Sequence, residues 1–128
     1  MDMRLELVPL PSTDVDRSKA FYVDRVGFHL DHDIEPGNGM RVVQLTPPGS
    51  ACSIVVGVGI SDPDAGRVHG LHLVVDDIET ARGELIGRGV AVGEVQDVGG
   101  GVKYAWFADP DGNSMVLQEM GWRTGENF

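Results

Sequence analysis

The sequence predicts an α+β fold made of two tandem β-α-β-β-β modules, with curled mixed sheets around a cleft and helices on the outer faces. Three repeated features support this prediction: a strand that leads into a helix-capping aspartate, a glycine at the helix end, and a turn before a final apolar strand. A chain of 128 residues suits one domain. We therefore expect a single domain, with modules at about residues 4–58 and 68–121 and a Gly, Pro and Asp-containing linker at about 59–67.

Each module opens with an apolar strand that runs into an aspartate, Asp14 in the first module and Asp77 in the second. Aspartate is a favoured N-cap residue, so a helix is expected to follow each one. Both helices carry a matching stripe of residues at i, i+3 and i+7. The stripe consists of Val15, Ser18 and Tyr22, matched by Ile78, Ala81 and Leu85. Gly27 and Gly89 are expected to end the two helices.

Three further strands are expected to complete each module. In the first module they are predicted at residues 28–34, 40–46 and 51–58, and in the second at 91–98, 102–108 and 114–120. The turns 46–50 and 109–113 precede the two final strands. They are separated by the same number of residues as the two capping aspartates, which supports a duplication. Loops at 33–38 and 99–101 are expected to shape the pocket.

Composition excludes several classes of partner. A formal net charge of −10 and a pI near 4.6 disfavour nucleic acid and anionic membranes, which attract clustered Lys and Arg. The apolar stretches are too short to span a bilayer, and the N-terminus has no signal-like apolar run, so we expect a cytoplasmic protein. Cys52 is the sole cysteine, so an internal disulfide is excluded. The simplest role for Cys52 is that of a small buried apolar residue.

Two segments resemble a known superfamily. Residues 12–22, Ser-Thr-Asp-Val-Asp-Arg-Ser-Lys-Ala-Phe-Tyr, with Gly27 and Phe28 after them, resemble the first-module signature of the vicinal-oxygen-chelate superfamily. Residues 107–113, Phe-Ala-Asp-Pro-Asp-Gly-Asn, resemble the segment before its last strand. That superfamily includes glyoxalase, extradiol dioxygenases, fosfomycin-modifying enzymes and bleomycin-binding resistance proteins. The resemblance covers nearly the whole chain and implies the glyoxalase/bleomycin-resistance fold, although one fold hosts many functions.

The resemblance also implies four positions at which metal-using members carry His, Glu or Gln. They correspond to Leu7, Ser53, Gly70 and Val116, of which only Ser53 offers a side-chain donor, and a weak one. The next residues on the same strand faces are Pro9, Val55, His72 and Gln118. One imidazole and one amide fall short of the three protein ligands of a catalytic metal, so no metal site is predicted. Glu6, His69 and Glu119 should point to the opposite face, unless a one-residue bulge shifts the register.

His72 is the main candidate for chemistry, because an imidazole can donate a hydrogen bond or act as a base near neutral pH. The alternative is a histidine satisfied by a backbone carbonyl. Aromatic residues near the final strands could line an apolar pocket, and alternation places either Trp106 or Phe107 in the cleft and the other against the helices. The remaining candidates of this kind are Tyr104, Met115 and Trp122. The full predicted ligand-binding set is His72, Gln118, Leu7, Pro9, Ser53, Val55, Val116, Trp106 and Phe107.

These features favour a metal-independent, cofactor-free protein that binds an apolar or aromatic small molecule and forms a homodimer. The competing hypothesis is an enzyme: a glyoxalase-like lyase, an isomerase or a dioxygenase. It would use His72 as an acid or base, or combine His72 with Gln118 or Glu119 around zinc, iron, nickel or manganese. A third hypothesis is an accessory module without a ligand of its own.

Overall fold

The computed structural model describes residues 1–62, 64 and 66–122; Pro63 and Ala65, within the predicted linker, lie outside the described residues. Two four-stranded sheets share one topology. The first sheet has the order β1-β4-β3-β2 and consists of β1 (Leu7–Pro9), β2 (His29–Gly37), β3 (Met40–Thr46) and β4 (Ser53–Val58). The second has the order β5-β8-β7-β6 and consists of β5 (Leu71–Val74), β6 (Gln96–Gly99), β7 (Val102–Ala108) and β8 (Ser114–Met120).

Both sheets are mixed in the same way. The opening strand of each lies parallel to the final one, β1 to β4 and β5 to β8, and the remaining neighbours are antiparallel. Identical strand order and identical pairing sense in two sheets confirm the predicted α+β class and the duplicated module.

The chain forms two compact units. Unit 1 contains Met1–Val68 together with Asp109–Gly112, and unit 2 contains His69–Ala108 and the described residues from Asn113 onwards. Each unit has an apolar core. The core of unit 1 includes Val43, Leu45 and Val56, all fully buried, and that of unit 2 includes Ile78, Ala105 and Leu117. The turn before β8 therefore belongs to the second module in sequence and to unit 1 in space.

Both helices start where the aspartates predict. Helix α1 (Val15–Ala20) begins after Asp14, whose carboxylate accepts a 3.1 Å hydrogen bond from the backbone N–H of Arg17. Helix α2 (Ile78–Gly87) begins after Asp77, whose carboxylate accepts the same bond from Thr80. Each cap satisfies a helix N–H that has no partner within the helix. In the described part of the chain, no helix is both long enough and apolar enough to cross a bilayer.

The first helix does not continue as a regular α-helix to Gly27. Residues Phe21–Val26 form a π-helical segment, in which the backbone hydrogen bonds span one residue more than in an α-helix. The carbonyl of Tyr22 accepts from the N–H groups of both Gly27 and Phe28, at 2.9 and 2.8 Å. Gly27 then adopts a φ of +92° and Gly89, after α2, a φ of +88°, so both glycines end their helices as predicted.

Strand β2 is longer than predicted. It runs through Gly37, whereas the sequence prediction ended the strand at residue 34 and expected a loop at 33–38. Asn38 and Gly39 have φ values of +57° and +74° and join β2 to β3 by a two-residue turn. Asn-Gly is the usual pair for such a hairpin, so this dipeptide was the overlooked signal.

Two other strands are shorter than predicted. Before β4, the hydroxyl of Ser50 bonds to both the N–H and the carbonyl of Cys52, so the chain turns there and the strand begins at Ser53 instead of residue 51. The predicted strand at 91–98 is confined to Gln96–Gly99. The guanidinium of Arg82 binds the carbonyls of Val92 and Gly93 and thereby uses backbone acceptors that a strand would pair.

Candidate functional site

His72 and Gln118 meet on one face of the second sheet. In the parallel ladder of β5 and β8, His72 lies opposite Val116, and Val74 lies opposite Gln118. The imidazole Nδ1 of His72 is 2.6 Å from the amide Oε1 of Gln118, which is a short hydrogen bond. Strand alternation predicts this shared face, and the hydrogen bond shows that the two side chains are in contact.

Two aromatic residues of β7 belong to the same face. Tyr104 lies opposite Gln118, and its ring meets the imidazole of His72 edge-on, with centroids 5.4 Å apart and planes at 83°. Trp106, two residues further along β7, lies opposite Val116. A Cβ at Gly70 would stand 3.8 Å from the indole of Trp106, so the glycine leaves space beside that ring. The His72 face consists of Gly70, His72, Tyr104, Trp106, Val116 and Gln118.

The His72 face combines a buried floor with accessible groups around it. Val116 is fully buried, whereas Trp106 is 44% exposed and His72 is also exposed. Tyr104 and Gln118 are half-buried. On one face, an accessible indole can stack on a flat apolar molecule, while an imidazole and an amide can hydrogen-bond a polar substituent on it.

Other predicted residues of unit 2 lie elsewhere. Phe107 is 4% exposed and pairs with Met115, which is 1% exposed, so both belong to the core, and Trp106 is the member of its pair that lies on the His72 face. Glu119 points to the opposite face, as predicted, because its Oε1 accepts a 3.0 Å hydrogen bond from the backbone N–H of Ile78 at the start of α2. Trp122 is 61% exposed and lies beside Gly101, in the turn between β6 and β7.

The four predicted residues of unit 1 also come together. In the parallel ladder of β1 and β4, Leu7 lies opposite Ser53 and Pro9 lies opposite Val55. Ser53 and Val55 are 5% and 4% exposed. Counted from the capping aspartates, Pro9 corresponds to His72 and Val55 to Gln118, so the polar pair of unit 2 is replaced by apolar residues in unit 1.

Ser53 belongs to a row of hydrogen-bonded polar side chains. Its Oγ lies 2.6 Å from Oγ1 of Thr46 and accepts a 3.3 Å hydrogen bond from the amide of Gln44. Thr46 also donates to the carboxylate of Asp31. This row was not predicted, although the alternation of Gln44 and Thr46 along β3 is a signal for it.

The four positions that the resemblance implies do not offer a donor set suited to a divalent cation. Leu7, Gly70 and Val116 have no side-chain donor atom, and the hydroxyl of Ser53 is bonded to Thr46 and Gln44. Across residues 1–62, 64 and 66–122, no three His, Cys, Asp or Glu side chains are grouped so that they could hold a metal ion.

A second polar cluster, in unit 1, involves the turn at Asp109–Gly112. The carboxylate of Asp111 accepts hydrogen bonds from the hydroxyl and N–H of Thr13, from Arg17 and from Ser18. Burial opposes ionisation of Asp111, but the bonds from Thr13 and the charge of Arg17 outweigh it and lower the pKa of the carboxyl. Sequence alone predicts a turn here but does not reveal its hydrogen bonds, because the partners lie more than 90 residues earlier in the chain.

Comparison with known proteins agrees with the fold. Residues 4–117 match the family described as Glyoxalase/Bleomycin resistance protein/Dioxygenase superfamily. The chain is similar to TnmS3, an antibiotic binding protein from Streptomyces sp. CB03234, with 34% identity over 94% of this chain and 98% of that one and a TM-score of 0.80. It is also similar to a glyoxalase/bleomycin resistance protein from the same strain, with 35% identity over 89% and 98% of the two chains and a TM-score of 0.72.

A member of the same superfamily from Sphaerobacter thermophilus DSM 20745 is 26% identical over 92% of this chain and 98% of that one, with a TM-score of 0.80. No curated protein gave a significant match. The family match spans most of the sequence and agrees with the resemblance seen in residues 12–22 and 107–113. The chain therefore belongs to the Glyoxalase/Bleomycin resistance protein/Dioxygenase superfamily.

Proposed function

We propose that the protein binds an aromatic or apolar small molecule on the His72 face and that this binding requires no metal ion. The observation that carries the proposal is the exposed indole of Trp106 on the same sheet face as the buried Val116 and the hydrogen-bonded pair His72 and Gln118. A large aromatic ring that is 44% exposed leaves apolar area in water, and a stacked ligand would remove that area from water.

Two further facts support the proposal. The chain is 34% identical to TnmS3, which is an antibiotic binding protein. The family positions Leu7, Ser53, Gly70 and Val116 together offer one hydroxyl, which is already hydrogen-bonded. Binding by stacking and hydrogen bonds is therefore better supported than binding through a metal ion.

The test combines elemental analysis with ligand screening. Protein purified without chelators is analysed for zinc, iron, nickel and manganese, and its thermal unfolding is recorded with a panel of flat aromatic compounds. A compound that binds only the folded state raises Tm, and at 100 times its Kd it adds about 2.7 kcal/mol of stability. A stoichiometric metal would contradict the metal-independent proposal, and a panel without any shift in Tm would contradict aromatic binding.

One observation favours an enzyme as the second candidate. His72 is exposed and is held by Gln118, and a histidine oriented by a hydrogen bond is the arrangement of a general base. The reactions to assay are glyoxalase-type isomerisation of a hemithioacetal and ring cleavage of a catechol, each with and without added divalent metal. Turnover that is abolished by His72→Ala would support this candidate over simple binding.

We also propose a homodimer. Each sheet leaves two edge strands, and in β2 seven of nine residues are exposed, including Ile34 at 49%. An open edge strand that exposes the apolar side chain of Ile34 can pair with a second chain. Sedimentation equilibrium tests this, because a dimer has twice the 13.7 kDa mass of one chain and a monomer at high concentration would contradict it.

A cytoplasmic location is part of the same proposal. Cys52 is a free, half-buried thiol, and a free thiol persists in a reducing compartment. Fractionation of producing cells, with immunodetection of the untagged protein, distinguishes cytoplasm from membrane and medium.

A further inference from the structure

We propose that the His72 face selects ligands that present a hydrogen-bond donor, such as a phenolic hydroxyl, to Nε2 of His72. This inference rests on the proposed function and adds to it the chemical class of the ligand. Of the two roles that the sequence suggests for His72, donor or base, the inference keeps only the one in which the imidazole accepts.

The first step is the tautomer of His72. The atom 2.6 Å from its Nδ1 is the amide oxygen of Gln118, and an amide oxygen can only accept a hydrogen bond. Nδ1 therefore carries the proton. A neutral imidazole has one N–H group, so Nε2 is left with a lone pair and can only accept.

The second step is the orientation of the ring. The imidazole is held through Nδ1 by Gln118 and meets the ring of Tyr104 edge-on at 83°. These two contacts restrict rotation of the imidazole, and His72 itself is exposed. An oriented acceptor at an accessible position favours a ligand with an O–H or N–H group over one with a carbonyl or ether at the same place.

The third step is the distance to the aromatic surface. His72 and Trp106 both lie opposite Val116, on the strands that flank β8. Two strand spacings separate them, which is about 10 Å. A fused bicyclic aromatic ring with a hydroxyl substituent would lie across Val116, with its ring against the indole and its hydroxyl towards the imidazole.

The experiment compares three probes of matched shape: naphthalen-2-ol, its methyl ether 2-methoxynaphthalene, and naphthalene. Kd is measured by calorimetry at about pH 8, where histidine imidazoles are ordinarily neutral. We expect naphthalen-2-ol to bind about five-fold more tightly than the ether, the effect of one neutral hydrogen bond. If the ether binds as tightly or more tightly, the inference fails and aromatic binding stands. If none of the three binds, the proposed function fails and the inference with it.

A variant tests whether Gln118 is the cause. In Gln118→Leu the tautomer is no longer held, so the ratio of the two affinities should fall towards one. Glu119→Gln is the matched control, because Glu119 is the next residue of β8 and lies on the opposite face, and it should retain the ratio. A Gln118→Leu protein that keeps the full ratio would overturn the inference.

A spectroscopic readout on the unaltered protein completes the test. Nitrogen-15 NMR of the imidazoles should show a protonated Nδ1 and an unprotonated Nε2 in His72. The His72 signals are those that disappear in the His72→Phe variant. The opposite pattern would overturn the inference even if Gln118→Leu does not fold.

Discussion

The hydroxyl of Tyr22 donates a 2.7 Å hydrogen bond to the carboxylate of Asp109, which lies 87 residues further along the chain and within the same compact unit. Tyr22 is fully buried and Asp109 is 6% exposed. Burial, reinforced by the negative charge of Asp109, raises the pKa of Tyr22 above its ordinary value, so the phenol stays neutral and remains a donor.

Replacing Tyr22 with Phe should therefore destabilise the fold. The substitution removes the donor and leaves the ring in place, so Asp109 loses one partner for a buried carboxylate. We expect a loss of about 1–3 kcal/mol in the free energy of unfolding, measured by urea denaturation. Tyr104→Phe is the control, because the hydroxyl of Tyr104 has no hydrogen-bond partner among the described residues, and a similar loss there would contradict the explanation.

Stability should also fall at acidic pH through Asp111. A carboxylate whose pKa is lowered by folding stabilises the folded state above its ordinary value of 3.8, and this contribution is lost as the pH falls through the lowered pKa. Asp111→Asn should be less stable than the parent by about 1–3 kcal/mol at neutral pH, because its bonds to Thr13 and Arg17 are charge-assisted. The difference should shrink at about pH 2, and a difference that is independent of pH would contradict the role of the charge.

Two glycine substitutions should have opposite effects. Gly83 lies inside α2, where no described atom is within 4 Å of an added Cβ, so Gly83→Ala should stabilise the protein by about 0.5–1 kcal/mol. Gly112 has a φ of +85°, and its added Cβ would come within 3.0 Å of Arg67. Gly112→Ala should cost about 1–2 kcal/mol. Chemical denaturation measures both changes in the free energy of unfolding. Two changes of the same sign would be inconsistent with these backbone conformations.

Trp106 should matter for binding and little for stability. Its indole is 44% exposed, so Trp106→Leu should change the free energy of unfolding by less than about 0.5 kcal/mol. The affinity for naphthalen-2-ol should fall about ten-fold, because stacking on the indole is lost. Trp122→Leu, which changes an exposed tryptophan beside Gly101, should leave that affinity unaltered. Equal losses in the two variants would argue against a site at Trp106.

The elements that were predicted well are those encoded by neighbouring residues. Asp14 and Asp77 cap their helices through N–H groups three residues away, and Gly27 and Gly89 end them through their own backbone conformation. The shared face of His72 and Gln118 was also predicted from sequence. It follows from alternation in two strands once the resemblance defines the starting positions Gly70 and Val116.

What the sequence did not reveal depends on distant partners. The strand expected at 91–98 is shortened where the guanidinium of Arg82 binds backbone carbonyls. No local sequence pattern predicts which carbonyls that side chain binds. The bonds from Thr13 and Ser18 to Asp111 join residues more than 90 positions apart. The tautomer of His72 depends on which amide atom faces it, a detail of geometry that composition and spacing leave open.

The π-helical segment Phe21–Val26 has a consequence for how such a module tolerates changes in length. Gly27 follows Asp14 by 13 residues, whereas Gly89 follows Asp77 by 12. Equivalent carbonyls accept a backbone hydrogen bond at the two helix ends. The carbonyl of Tyr22 accepts from the N–H of Phe28, and the carbonyl of Leu85 accepts from the N–H of Val90. The widened turn thus absorbs one surplus residue, and a single-codon insertion can be accommodated there without displacing the strand that comes next.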